Sequence, residues 1–174
     1  MTAPPSGSRL AKASFVVGSV YAALSFYWAV GGPWLLSTVG DSLATRANGN
    51  DATLAVAVLL AAAVKAIAAL LPILAVCRPV DRPRRRTVWL LAGFEAGVLV
   101  IYGGVLTTVG LLIQAGIVRV SRTADYRALA WHAYLWDPWF LLWGLLIAAA
   151  LVARRRGTKC RSASWRRSVL STGP

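Results

Sequence analysis

The sequence contains few acids, one histidine and two cysteines. Its 174 residues include six Asp and Glu in all. Neither Cys77 nor Cys160 belongs to a C-x-x-C pair, and no His/Cys cluster has metal-ligand spacing, so both are expected to be inert thiols. The chain also lacks a Ser-His-Asp set, an H-E-x-x-H motif and a glycine-rich phosphate loop. The motifs therefore predict no catalytic residue, no metal and no cofactor.

Charge is scarce as well, which argues against a soluble domain. Charged residues make up 14% of the chain and hydrophobic residues 57%, with a mean hydropathy of +0.61, whereas a soluble domain is about a quarter charged. The net charge of +13 is at first sight typical of nucleic-acid binding. The basic residues, however, occupy short segments between long apolar blocks. We therefore predict a membrane protein that binds no nucleic acid.

Four apolar blocks are long enough to cross a bilayer as helices. They predict an all-α polytopic protein with four transmembrane helices in an antiparallel bundle. The helices are expected over about 15–36, 52–77, 88–117 and 136–153. Residues 1–13 are predicted to be a disordered tail and 154–174 a basic tail. The first block could also be a signal peptide, but it lacks the small-residue cleavage site. Asp137-Pro138 is expected to cap the start of the fourth helix.

The distribution of basic residues predicts the orientation. The two tails and the loop at 78–86 hold 14 Lys and Arg and one acid, Asp81. The other two loops hold four arginines and four aspartates. Because cytoplasmic segments are enriched in Lys and Arg, both termini are expected in the cytoplasm of a multi-pass plasma-membrane protein.

Two ionisable residues, Lys65 and Glu95, interrupt the apolar blocks. A lone charge at the bilayer centre costs about 3 kcal/mol, and the second and third helices are joined by a short loop. We therefore predict that the two side chains face each other. They form either a structural ion pair or a proton relay or acid–base pair. Helical spacing adds three residues to this predicted intramembrane polar site. They are Tyr21, Ser25 and Tyr102.

Lipid contact is predicted at both ends of the bundle. Five tryptophans near the outer ends of the first and fourth helices form a candidate aromatic cluster, which serves either as an interfacial anchor or as a pocket for an apolar ligand. They are Trp28, Trp34, Trp131, Trp136 and Trp139. The basic C-terminal tail is expected to contact anionic headgroups. The residues concerned are Arg154, Arg155, Arg156, Lys159 and Arg161.

Gly93 and Gly97 form a G-x-x-x-G motif on the third helix. This motif permits close helix packing, either inside the monomer or between copies. A homo-oligomer is compatible with it but is not specifically indicated.

The first and fourth helices resemble a family of small, mostly actinobacterial membrane proteins catalogued as a domain of unknown function. The resemblance lies in Tyr27-Trp28-Ala29-Val30-Gly31-Gly32 with Trp34, and in Trp136-Asp137-Pro138-Trp139-Phe140-Leu141-Leu142. It covers about residues 14–153. The resemblance implies four membrane helices and no activity.

Two classes of function remain open. The scarcity of chemical groups favours a non-enzymatic accessory or lipid-interacting bundle. The alternative is a small transporter or membrane-embedded enzyme that uses Lys65 and Glu95.

Overall fold

The computed structural model describes residues 6–39, 52–77, 82–121 and 125–171, of which 82–83 and 157–171 are described by their backbone alone. Every regular element in these ranges is helical. The elements are α1 (Ser6–Ala29), a 3₁₀ turn (Leu36–Thr38), α2 (Ala52–Val76), α3 (Arg82–Gln114), α4 (Tyr126–Trp131), a π-helical turn (His132–Trp136) and α5 (Asp137–Ser171). The predicted all-α class is confirmed.

Within the described ranges, four helical segments are long and apolar enough to cross a membrane. They are Ser6–Ala29, Ala52–Val76, Arg84–Gln114 and Tyr126–Arg156, the last of which runs through α4, the π turn and α5. Many large apolar side chains on these segments face outward, for example Leu60, Ile67 and Phe94. An apolar exterior of this kind matches a lipid environment, because hydrocarbon imposes no cost on exposed Leu, Ile or Phe. The chain is a multi-pass membrane protein.

The order of packing in the bundle differs from the order along the chain. α1 and α5 form a central pair, α2 packs mainly on α1, and α3 packs mainly on α5. α2 and α3 touch far less, although they are consecutive. The core centres on Trp143 and Ile147 of α5, which are fully buried against small residues such as Ala11 and Ala92.

Glycines allow close contact between helices, as at Gly18 and Gly103. A Cβ at Gly18 of α1 would lie 2.5 Å from Cζ2 of the Trp143 indole and 2.9 Å from Cβ of Ala69. A Cβ at Gly103 of α3 would collide with backbone atoms of Leu141, whose Cα is 2.9 Å away. Small residues let membrane helices approach closely. By contrast, a Cβ at Gly93 or Gly97 would meet nothing within 4 Å, so the motif noted in the sequence is not packed inside the monomer.

Several predicted boundaries are wrong. α1 begins at Ser6 and ends at Ala29, so residues 6–13 are helical rather than disordered, and the predicted extension to 36 fails at the turn containing Gly31 (φ 91°). α5 begins at Asp137, but it follows the π turn without a break, so Asp137 has helical backbone angles and does not cap a free helix start. The fourth helical segment begins at Tyr126, where the Asp125 side chain accepts a hydrogen bond from the Ala128 N–H (2.9 Å) and caps α4. α5 continues to Ser171.

Candidate functional site

Lys65 of α2 is held by two residues of α1. Its Nζ donates a hydrogen bond to Oγ of Ser25 (2.7 Å) and lies 4.0 Å from the centre of the Tyr21 ring. Ser25 is buried and Lys65 is half-buried. The hydroxyl oxygen and the negative face of the aromatic ring both favour the ammonium group. An intramembrane cation is thus partly stabilised without a carboxylate.

Tyr21 joins this cation to an aromatic cluster on α5 and the π turn. Its ring stacks on Trp136 (5.8 Å between centroids) and meets Phe140 edge-on (4.8 Å). Trp139 lies at 6.4 Å from the same ring, and its Nε1 donates to the Val17 carbonyl of α1 (3.2 Å). These contacts explain the fixed position of Tyr21. They also unite two sites that the sequence analysis treated separately, the intramembrane polar site and the outer aromatic cluster.

The helical spacing on α1 explains why these residues converge. Gly18, Tyr21 and Ser25 follow one another by three and four residues and therefore share one face of the helix. Gly18 lets Trp143 approach closely, which brings α5 near enough for its aromatic rings to reach Tyr21. Lys65 meets the same face from α2. Three of the five residues of the predicted polar site are therefore in contact.

Glu95 is not part of this contact. Both carboxylate oxygens of Glu95 are buried, and neither has a hydrogen-bond partner in the described part of the chain. The prediction that Lys65 and Glu95 face each other is wrong. The reason lies in the packing order, because α2 turns Lys65 toward α1 whereas α3 packs mainly on α5. A short connecting loop does not make two helices close neighbours.

The remaining predicted aromatic residues are distributed around the cluster. Tyr102 is exposed, and its ring meets Phe140 edge-on (5.5 Å), one ring away from Tyr21. Trp28 meets Trp136 (5.5 Å) and donates from Nε1 to the Trp34 carbonyl (2.8 Å). The rings of Trp34 and Trp131 are exposed. The tryptophan set therefore includes both core and surface positions.

A group of polar contacts that the sequence did not predict lies at the same end of the bundle as the aromatic cluster. Nδ1 of His132 lies 3.3 Å from Oδ1 of Asp137, and Nε2 lies 3.4 Å from the Val39 carbonyl. Nε1 of Trp136 donates to Oγ1 of Thr38 (3.2 Å). In an α-helix, residues five apart point about 140° away from each other. The π turn, in which the Asp137 N–H bonds to the His132 carbonyl, aligns the pair. No sequence motif announces such a turn.

The opposite end of the α3–α5 pair is basic. The guanidinium of Arg155 lies 4.3 Å from the centre of the Trp89 ring. This contact places the arginines at the start of α3 beside those of α5, because each group is within a turn or two of it. The residues are Arg84, Arg85, Arg86, Arg154, Arg155 and Arg156. The side chains of Lys159 and Arg161, predicted to join them, lie outside the described residues.

The helices and their arginine-rich end define a multi-pass membrane protein built as a four-span bundle. Comparison with protein-family models gives a match over residues 18–147 to the model described as Protein of unknown function (DUF3995). The match covers well over half of the chain, and the protein therefore belongs to this family. The resemblance to a family of unknown function, inferred from the sequence, is confirmed. No curated protein and no solved structure matches the chain.

Proposed function

We propose that the protein is a non-enzymatic, lipid-interacting bundle that binds anionic phospholipid at its basic end. The observation that carries this proposal is the contact between Arg155 of α5 and Trp89 of α3. It gathers two arginine triplets at one end of a helix pair. Each basic residue near an anionic membrane surface contributes about 1 kcal/mol of attraction. The Trp89 indole also suits this end of the bundle, because tryptophan is enriched at the level of the lipid headgroups.

The same charges give the proposed location. In the plasma membrane, the arginine-rich end faces the cytoplasm and both termini lie on that side, as the positive-inside rule requires. The 14 basic residues of the tails and the 78–86 loop, set against one acid, support this orientation.

Cysteine accessibility tests the orientation in intact cells. Single cysteines are placed at Asn48, Arg84 or Ala124, or kept at Cys160, after removal of the other natural cysteines. An impermeant thiol reagent is expected to label Asn48→Cys and Ala124→Cys only, because those positions lie in the weakly charged loops. Labelling of Arg84→Cys before the cells are opened would reverse the orientation.

Lipid preference tests the proposed function. The purified protein is placed in nanodiscs of phosphatidylcholine with or without phosphatidylglycerol, and thermal unfolding is followed at low and high salt. Binding to the folded state raises its stability, so we expect a higher midpoint with phosphatidylglycerol. High salt should reduce the difference, because salt screens surface charge.

A matched pair of double variants assigns the effect to the basic end. Arg155→Gln/Arg156→Gln should weaken binding by about 2 kcal/mol, or roughly 30-fold. Arg119→Gln/Arg127→Gln removes the same charge from segments that also carry aspartates, and should change little. An unchanged midpoint for the wild type in the two lipid mixtures would refute the proposal.

The alternative function, transport or catalysis through Lys65 and Glu95, receives mixed support. The two groups do not form an acid–base pair, so a relay through direct contact between them is not available. The carboxylate of Glu95 has no hydrogen-bond partner among the described residues, which nevertheless favours a role for that residue alone.

A further inference from the structure

An apolar groove runs along the outside of the bundle between α3 and α5. It has a volume of about 420 Å³. Gly93 and Gly97 of α3 form its floor, and Ala148 and Val152 of α5 form one wall. Trp89 and Arg155 lie at its basic end, which we call the mouth. The groove exists because the two glycines have no side chains, and a Cβ at either would meet nothing within 4 Å.

The dimensions of the groove match one leaflet of a bilayer. From Trp89 to Ile101, both of which line it, twelve residues of helix rise about 18 Å. Half of a hydrocarbon core about 30 Å thick is about 15 Å. A lipid acyl chain that lies in the groove would therefore run from the basic end of the bundle to near the bilayer centre.

The charges at the end of the groove select its occupant. The exposed side chain of Arg155 lies at the mouth, beside Arg156 and close to the triplet that begins at Arg84. A phosphate diester placed there meets cations, while its acyl chain meets an apolar wall. A second copy of the chain would meet the opposite situation. Two copies inserted in the same orientation and packed through these glycines would bring their arginine clusters together, and like charges repel.

We propose that this groove holds one acyl chain of an anionic phospholipid, with the phosphate against Arg155. This inference rests on the proposed function and gives it a defined site. Gly93 and Gly97 serve here as the floor of a lipid groove rather than as a helix-dimerisation motif. Trp89 holds the Arg155 guanidinium at the mouth through ring contact (4.3 Å).

Filling the groove is the direct test. Wild-type protein and the Gly93→Leu/Gly97→Leu variant are extracted from phosphatidylglycerol-containing vesicles, and retained lipid is counted by native mass spectrometry. We expect the wild type to retain one phosphatidylglycerol per chain and the variant to retain it at least about tenfold less. The Gly104→Leu variant, altered on the same helix outside the groove, should behave as the wild type. Val152→Trp fills the groove from α5 and gives the same loss if the paired leucines impair folding.

Two further measurements separate the possible failures. Arg155→Gln should reduce the preference for phosphatidylglycerol over phosphatidylcholine by about fivefold and leave one lipid bound. If the wild type shows no such preference, the proposed function itself fails. If the preference persists and both groove-filling variants retain the lipid, only the groove is wrong. A wild-type dimer that becomes a monomer in the Gly93→Leu/Gly97→Leu variant would assign the groove to a second copy and overturn the proposal.

Discussion

Replacing Gly103 by alanine is expected to destabilise the protein by about 1–3 kcal/mol, the usual cost of overpacking a closed site, whereas the same change at Gly104 should be tolerated. A Cβ at Gly103 would collide with backbone atoms of Leu141 and lie 3.0 Å from the Asp137 carbonyl. Backbone cannot rotate away as a side chain can, so α3 and α5 would have to separate. A Cβ at Gly104 would meet only the flexible end of Leu141, at 3.8 Å.

The midpoint of thermal unfolding in detergent measures this difference. Both variants gain the same intrinsic helix propensity from the change of glycine to alanine, so the contrast isolates the contact. Gly103→Leu should leave no folded protein, while Gly104→Leu should still be recovered as a single species. Equal midpoints for the two alanine variants would show that α3 and α5 are not held at the described separation.

The number of spans could be predicted because it depends only on the length of each apolar block along the sequence. A block of about 20 apolar residues must span the bilayer as a helix, since unpaired backbone groups are too costly in hydrocarbon. The exact helix ends could not be read in this way. The polar residues 6–13, for example, are part of α1. Hydropathy indicates where a helix leaves the hydrocarbon, but the helix itself can extend further, into the headgroup region or water.

The neighbours of each helix could not be predicted from chain order. The short loop suggested a tight α2–α3 pair, but Gly18 and Gly103 create deeper crossings of α1 and α3 with α5. Close packing is the main source of helix association in membranes, so glycine positions outweigh loop length. The G-x-x-x-G motif predicts close packing at Gly93 and Gly97. Gly18 and Gly103, which do pack against other helices, belong to no such motif.

Part of the candidate site was accessible to sequence reasoning. The spacing of Tyr21 and Ser25 placed them on one face, and the cost of an unpaired Lys65 required a polar partner. What could not be foreseen is that a hydroxyl and an aromatic ring would meet that requirement in place of Glu95. The alignment of His132 with Asp137 depends on a π turn, which has no signature in composition or period.

The partner of Lys65 can be measured by two double-mutant cycles that share one variant. In the wild-type background, Ser25→Ala removes the hydroxyl oxygen from the ammonium group, at a cost of about 1.5–3 kcal/mol for a hydrogen bond to a charge. In the Lys65→Met background there is no ammonium group for the Ser25 hydroxyl to bind. Ser25→Ala should therefore hardly change the free energy of unfolding there. The free energy of unfolding, from dodecyl sulfate titration in mixed micelles, should therefore give a coupling energy of about 1.5–3 kcal/mol.

The second cycle pairs Lys65→Met with Glu95→Gln and serves as the matched control. Neither oxygen of Glu95 accepts a hydrogen bond in the described part of the chain, and Lys65 is already bonded to Ser25. The two changes should add to within about 0.5 kcal/mol, as changes at residues that do not touch normally do. A Lys65–Glu95 coupling above about 1 kcal/mol, together with none between Lys65 and Ser25, would restore the ion pair expected from the sequence. It would also favour a role in proton transfer for the two charges.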